Sequence, residues 1–487
     1  MALTALIVLP LFGGVLALLA PRLGRDAERW FSIAVLAVAL IALIVAWTGA
    51  PPEDAPGEQW LAMVRYQYAP ALGLQFLLAM DGLSGALVAV SIVLGIISVI
   101  VSWNIRKDSG LFHACLLWTV AASNGVFLAM DLLFFAFFWE LMLVPSFLLI
   151  SIWGHGDREA VALKFLVFNA VAGLGLLAGV FYMAATAPEI TFDAFVFAEM
   201  GIPPVAQVWL LLGFALAFLT KLPAPPFHAW LPDAHTMAPT AGSILLAGLL
   251  LKTGAYGLFR FPGMLFPEGF HVLAPYGLAL GAFGTIYGAV IACGQTDAKR
   301  LVAYTSIAHM SIVLMGLAGG VHFAMMGAGV EMIAHAFSAS ALFLLIGALY
   351  DRVGTRDLRE LGGLMQTAPR FAAAFAVFFS AALAMPGTAN FLGEALVITG
   401  MFQVNWVLAA VALVSLVISV VYATRLLKRI VFGAPVKACV SQDLTWAELG
   451  PIVVLATGTL LFGLLPQLLL VVLEPAVDAA LAPLVRP

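Results

Sequence analysis

Six ionisable side chains, Glu140, Lys221, Lys252, His309, His335 and Glu394, stand within long apolar stretches of this 487-residue sequence. Glu140 follows Asp131 by nine residues. On a helix that spacing carries it roughly 13 Å into a ~30 Å hydrocarbon layer. Lys252 lies twelve residues after Thr240 and eight before Arg260, again near mid-depth. Lys221 closes an apolar run just before Leu222-Pro223-Ala224-Pro225-Pro226, and Glu394 follows Met385-Pro386-Gly387. Glu331 and His335 are four apart and share one helix face. A charge at the bilayer centre costs at least ~2.5–3.5 kcal/mol, so each group needs a partner, a cavity or a task.

The task they suit is proton transfer. Burial favours the neutral amine of a lysine, so a buried lysine can take up and release a proton; an arginine stays protonated. Imidazole titrates near neutrality and can pass protons on. A carboxylate that moves towards or away from a lysine makes a switch, and Glu140 with Lys221 is the candidate pair. A static ion pair pinning two helices is the competing reading, but it leaves Lys252 without an obvious partner. For His309 and His335, a hydrogen-bonded packing role stands beside the relay role. Glu394, beyond the break and towards the outer side, suits an exit group.

The elements that must position these groups are membrane spans. The sequence is 63% hydrophobic and 10% charged, against about 25% charged in soluble domains. Apolar runs of about 18 or more residues are long enough to cross as helices. Fourteen such spans are expected, near 2–20, 30–48, 82–103, 111–130, 132–152, 162–186, 207–221, 240–260, 273–293, 301–318, 326–350, 371–400, 404–430 and 450–473. The chain is thus all-α, a polytopic integral membrane protein with no soluble domain of any size. Loops after odd-numbered spans hold most of the basic residues, from Arg22, Arg25 and Arg29 through Arg106 and Lys107 to Arg425, Lys428, Arg429 and Lys437. Loops after even-numbered spans hold only Arg65 and Arg260. By the positive-inside rule the odd loops are cytoplasmic and both termini lie outside. The first run lacks a basic leader and a small-residue cleavage site, so it reads as a retained helix.

Proline at Pro223, Pro225 and Pro226 and again at Pro386 removes backbone hydrogen bonds, so the seventh and twelfth helices are expected to be discontinuous. Non-helical backbone at membrane depth survives only inside protein or beside water. Broken segments five spans apart have opposite topology and fit an inverted repeat, helices 4–8 against 9–13. Ordinary proline kinks would explain either break alone. The division expected is 1–110 (helices 1–3), 111–262 (first repeat), 263–432 (second repeat) and 433–487 (helix 14 and tail).

Other chemistries find little support. Cys115, Cys293 and Cys439 are isolated and match neither a four-cysteine cluster nor a structural zinc site. Asp233, His228 and His235 flank the proline-rich break with no strong ligand spacing, so structural hydrogen bonding is expected there, and no metal site. Glycine-rich nucleotide turns and Walker motifs are absent, so no cofactor is expected on this chain. A formal charge of −4 without a basic patch gives no sign of nucleic acid. In Gln295-Thr296-Asp297-Ala298-Lys299-Arg300, Thr296 is the expected cap of the tenth helix, with Lys299 and Arg300 anchoring it at the cytoplasmic face.

Taken together, several segments resemble the antiporter-like, proton-translocating subunits of respiratory complex I, of the NuoM type. They are Phe137 to Pro145 around Trp139-Glu140; Lys221 with His228-Ala229-Trp230-Leu231-Pro232-Asp233-Ala234-His235; Ala238 to Ser243; Leu251-Lys252-Thr253; Gln295 to Ser306; His309-Met310; Met332 to His335; and Met385-Pro386-Gly387-Thr388. The resemblance covers essentially the whole chain. It implies fourteen helices with two inverted five-helix repeats, Glu140 and Lys221 as a coupled pair, Lys252 as central relay and Glu394 as terminal carrier. It also implies NADH, FMN, iron–sulfur clusters and quinone on partner subunits, flanking antiporter-like subunits and membrane lipids as neighbours, and a bacterial inner-membrane location. Glu394 is glutamate where sister subunits and Mrp-type chains typically carry lysine. The chain also ends soon after its fourteenth span. Glu331 departs from the family pattern of a neutral polar residue, and a carboxylate beside His335 is expected to alter the relay. Two rivals remain: a subunit of a Mrp-type cation/proton antiporter or membrane-bound hydrogenase, and a haem-binding quinone oxidoreductase with His309 and His335 as axial ligands.

Overall fold

The computed structural model describes residues 1–52, 56–434 and 442–485, so Lys437 and Cys439 lie outside the described residues. Its apolar helices are α1 Ala2–Arg22, α2 Ala27–Thr48, α3 Gly82–Val101, α4 Ser109–Leu128, α5 Leu132–Trp153, α6 Arg158–Thr186, α7 Pro204–Lys221 and α8 Thr240–Leu265. Then come α9 Pro267–Gly294, α10 Ala298–Ala318 and α11 His322–Val353. The twelfth is split into α12a Pro369–Ala382 and α12b Ala389–Val404. Last are α13 Trp406–Val431, α14 Trp446–Leu464 and α15 Gln467–Val485.

Both expected breaks are present. Residues 222–230 after α7 form turns that lead into the short helix Leu231–Met237. Residues 383–388 separate α12a from α12b. Side chains re-satisfy backbone freed at the breaks: Trp230 Nε1 donates to the Thr220 carbonyl at 2.9 Å, and Thr388 Oγ1 accepts from Phe391 N at 3.3 Å.

The C-terminal end differs from the expected span at 450–473. Leu465-Pro466 divides it, because proline cannot continue the donor ladder of α14. The following α15 is long enough to cross, but its contacts lie along one face. Val472 touches Gly82 at the start of α3, and Asp478 meets His322 at the start of α11. Ala480 and Leu484 lie against Gly263 near the end of α8. The thirteen residues from Val472 to Leu484 thus run across helix ends, on the face that also carries the start of α1, where Asn124 donates to the Leu6 carbonyl. Among the described residues this leaves fourteen crossings, α1 to α14 with the split twelfth taken as one, and α15 as a lateral helix lying over their ends.

Among the described residues, one pair of strands adds to the helical architecture. β1 Ala62–Ala69 and β2 Leu74–Met80 form an antiparallel hairpin between α2 and α3. Its second strand is buried at Leu77 to Met80, so its residues lack the period-two polarity that would have marked a strand.

The centre of the bundle is α8, α10 and α11, each with 94% of its most apolar 18-residue stretch buried inside the chain, against 22% for α14. Lys252, His309 and His335 belong to these three helices and are therefore shielded from lipid. Glycines bring α12b against α11. A Cβ on Gly393 would meet Glu331 N at 2.8 Å, and one on Gly327 would meet Val397 N at 2.5 Å. Small residues at such crossings let membrane helices approach closely.

Candidate functional site: a buried file of ionisable side chains

The first cluster is built by α5, α6 and α7. Asp131 caps α5 by accepting from Leu133 N and Phe134 N, each at 3.0 Å, which fixes the helix that carries Glu140. The Glu140 Oε1 atom is buried with no hydrogen-bond partner and lies where a Cβ on Gly173 of α6 would be. Lys221, 1% exposed at the end of α7, does not close onto it. Its Nζ donates to the Trp139 carbonyl at 2.7 Å and lies 3.8 Å from the centre of the Trp139 ring. The expected pair is therefore neighbouring and unclosed, with one backbone unit and an indole face holding the ammonium. That geometry does not match a static ion pair. α8 packs on the break after Lys221, where a Cβ on Gly254 would meet the Phe218 carbonyl oxygen at 2.5 Å and Leu222 N at 2.6 Å.

The second cluster spans α8, α10, α11 and α12b. Within α8, Leu246–Leu250 is a π-helical turn. The wider turn frees the Ala247 carbonyl, and Lys252 Nζ donates to it at 2.7 Å. The same Nζ is 2.6 Å from His335 Nδ1, so Lys252 has a partner that sequence spacing did not suggest. The His335 and His309 rings are 5.7 Å apart between centres. His309 Nδ1 is 2.6 Å from Glu394 Oε1. Lys252 and Glu394 thus each contact one imidazole, and the two rings face each other across four helices with no hydrogen bond between them.

Glu331 does not lie on His335 as helix-face periodicity suggested. Its carboxylate turns to Asn390 Nδ2, at 2.9 Å, and to His309 Nδ1, at 3.9 Å. Close packing of α12b on α11 draws it that way, and Lys252 occupies His335 Nδ1.

The residues around the first break stay apart. Asp233 receives Lys164 at 2.7 Å and Arg300 at 2.9 Å. His228 Nε2 is 3.2 Å from the Tyr287 hydroxyl, and His235 stacks on Phe343 at 4.3 Å. At the start of α10 the cap is Asp297, which accepts from Arg300 N at 3.0 Å, in place of the expected Thr296. Lys299 is buried, and is no surface anchor: its Nζ donates to the Ala238 carbonyl at 2.7 Å and to Ser243 Oγ at 3.2 Å. Sequence reasoning missed it as a buried lysine because its place in the first turn of a basic-flanked helix reads as an interfacial position.

Residues 129–419 match the family described as NADH:quinone oxidoreductase/Mrp antiporter, TM. Over 484 residues the chain is 42% identical to the NADH-quinone oxidoreductase subunit M of Pseudomonas aeruginosa, covering 96% of this chain and 95% of the relative. The chain belongs to this family, in its subunit M branch. Subunit M of Escherichia coli K12 is 40% identical over the same coverage. A chain of respiratory complex I from Thermus thermophilus with bound NADH superposes with a TM-score of 0.90 at 29% identity, over 99% of this chain and 100% of that one. A chain of the Mrp complex from Dietzia sp. gives a TM-score of 0.84 at 24% identity, over 100% of this chain and 52% of that one, a likeness of fold alone.

Proposed function

We propose that this chain moves protons across the membrane as a subunit of an NADH:quinone oxidoreductase. The reading rests on the adjacent side chains Lys252, His335, His309 and Glu394, buried, with 2.6 Å contacts at both ends and facing imidazole rings between them. Family membership supports the assembly. In a bacterium the chain then works in the inner membrane with other membrane and peripheral subunits. NADH, FMN, the iron–sulfur clusters and quinone belong to the partners, and this chain supplies a translocating path without a redox centre of its own.

A proton enters from the cytoplasmic side at Lys221, passes to Lys252, crosses His335 and His309, and leaves from Glu394. Glu140 sets the charge state of Lys221: its unpartnered oxygen is free to approach the ammonium, and withdrawal lets the lysine give up its proton. The Trp139 carbonyl and ring hold the ammonium while the carboxylate is away. The halves 111–262 and 263–432 act as inverted repeats, supported by the broken α7 and α12. The helices α1–α3 before them and α14 and α15 after them pack around the two repeats, and the face bearing the starts of α1 and α3 is periplasmic.

NADH-driven proton uptake into inverted membrane vesicles tests the path. At equal assembly, Lys252→Met should lose about 10²-fold or more in pumping, the scale of a positioned acid–base group. Wild-type pumping in that variant would remove Lys252 from the route.

A further inference from the structure

Glu331 has no place in that route, yet it is 0% exposed and packed against the route's last two members. Atoms of His309, Glu331 and Glu394 suited to bind a proton or a cation all lie within 4.8 Å of one another. Glu331 Oε1 accepts from Asn390 Nδ2, while Oε2 of Glu331, Oε2 of Glu394 and Nε2 of His309 are buried without any hydrogen-bond partner. The atoms that meet are Nδ1 of His309 and Oε1 of each acid, 2.6 Å to Glu394 and 3.9 Å to Glu331, so one imidazole nitrogen lies between two buried carboxyl groups.

Charge points the same way. Two carboxylates this close, away from water, cannot both ionise. The titratable groups facing them are His309 on α10, His335 on α11, Lys252 on α8 and Tyr422 on α13. Lys252 is already held by His335, and the Tyr422 hydroxyl is buried without a partner. No arginine or second lysine reaches the pair among the described residues.

We propose that Glu331 and Glu394 hold one proton in common and that Glu331 is a second proton-carrying residue at the outlet. This rests on the route given above. With one proton on Glu331, a proton arriving on His309 passes from the imidazolium to the Glu394 carboxylate. Both acids are then protonated, one proton leaves outward, and the pair returns to a single negative charge. At no stage are both acids ionised, so an unshielded double charge is never formed in the membrane.

Redox-triggered infrared difference spectra of the assembled complex in native lipid, in H2O and D2O, read this directly. A deuterium-sensitive carbonyl band of a protonated carboxyl is expected in wild type. It should be lost or displaced in both Glu331→Gln and Glu394→Gln. Pumping by Glu331→Gln should fall by roughly tenfold, less than the ~10²-fold of a sole acid–base group because His309 and Glu394 remain. Glu331→Asp keeps an acid and should restore most of the pumping with a displaced band; it also carries the test if Glu331→Gln assembles poorly. A wild-type band and wild-type pumping in Glu331→Gln would overturn the shared proton. If Glu394→Gln loses pumping in the same experiment, only this inference falls. If Glu394→Gln also pumps normally, the route falls with it.

Discussion

Where Lys221 meets Glu140 the charged ends are held apart, whereas from Lys252 to Glu394 each charged end touches an imidazole. The first site has a carboxylate oxygen with no partner, a glycine cut away beside it, and an ammonium parked on a carbonyl and an indole. The second has two 2.6 Å contacts at its ends and two imidazole rings between them. An open pair can respond to a neighbouring charge by closing, so it suits coupling. A file with its ends already in contact needs only a small motion to bring its two imidazoles together, so it suits conduction. One chain holds both because α8 touches each: Gly254 packs on the Lys221 break, and Lys252 lies two residues earlier.

Removing the charge that must move should separate the two regions most sharply. Glu140→Gln preserves shape and leaves the second file intact, yet pumping and NADH-to-quinone turnover should fall together by about 10²-fold. Turnover that persists without pumping would mean that Glu140 conducts and does not couple. A smaller effect is expected from Gly173→Ala, whose methyl would occupy the space of Glu140 Oε1 and force the carboxylate to another position. Proton pumping should change by roughly threefold, a barrier shift below ~1.4 kcal/mol. No change would show that Glu140 tolerates either position and that the space beside it has no bearing on coupling.

The smallest effect belongs to a loop pair remote from both regions. Arg359 hydrogen-bonds the half-buried Asp357 carboxylate from Nε at 3.0 Å and from Nη2 at 2.6 Å, and so holds its pKa down to about 2. A depressed carboxylate contributes stability that is present above its unfolded value of 3.8 and lost as pH falls through about 2. Any melting-temperature difference between wild type and Asp357→Asn should therefore stay constant between about pH 5 and 8. A difference that grows across that interval would place another titrating group in the loop.

Much of this was legible from residue types alone. A chain so poor in charge must spend its helices in lipid, and the alternation of basic loops ordered the crossings. Proline located the breaks in α7 and α12, because a missing N–H is a local fact. Proline also divided the last apolar run at Pro466, but an unbroken hydropathy profile concealed it. Glu140, Lys221, Lys252, His309, His335 and Glu394 stood out because a charge in hydrocarbon is costly wherever it occurs.

Pairing was decided only in three dimensions. Which partner a buried group takes depends on helix rotation and on side chains many tens of residues away. Lys252 and His335 are 83 residues apart in the chain, and His309 and Glu394 are 85 apart. Spacing of four put Glu331 beside His335, but glycine-mediated packing of α12b turned it to Asn390 and His309. A π-helical turn exposed the carbonyl that holds Lys252, and a first-turn lysine, Lys299, went inside. The sequence by itself determined which groups had to be shielded from lipid, since that follows from their solvation. The tertiary structure decided which of them meet, since hydrogen bonds act over a few ångströms and only packing sets those distances.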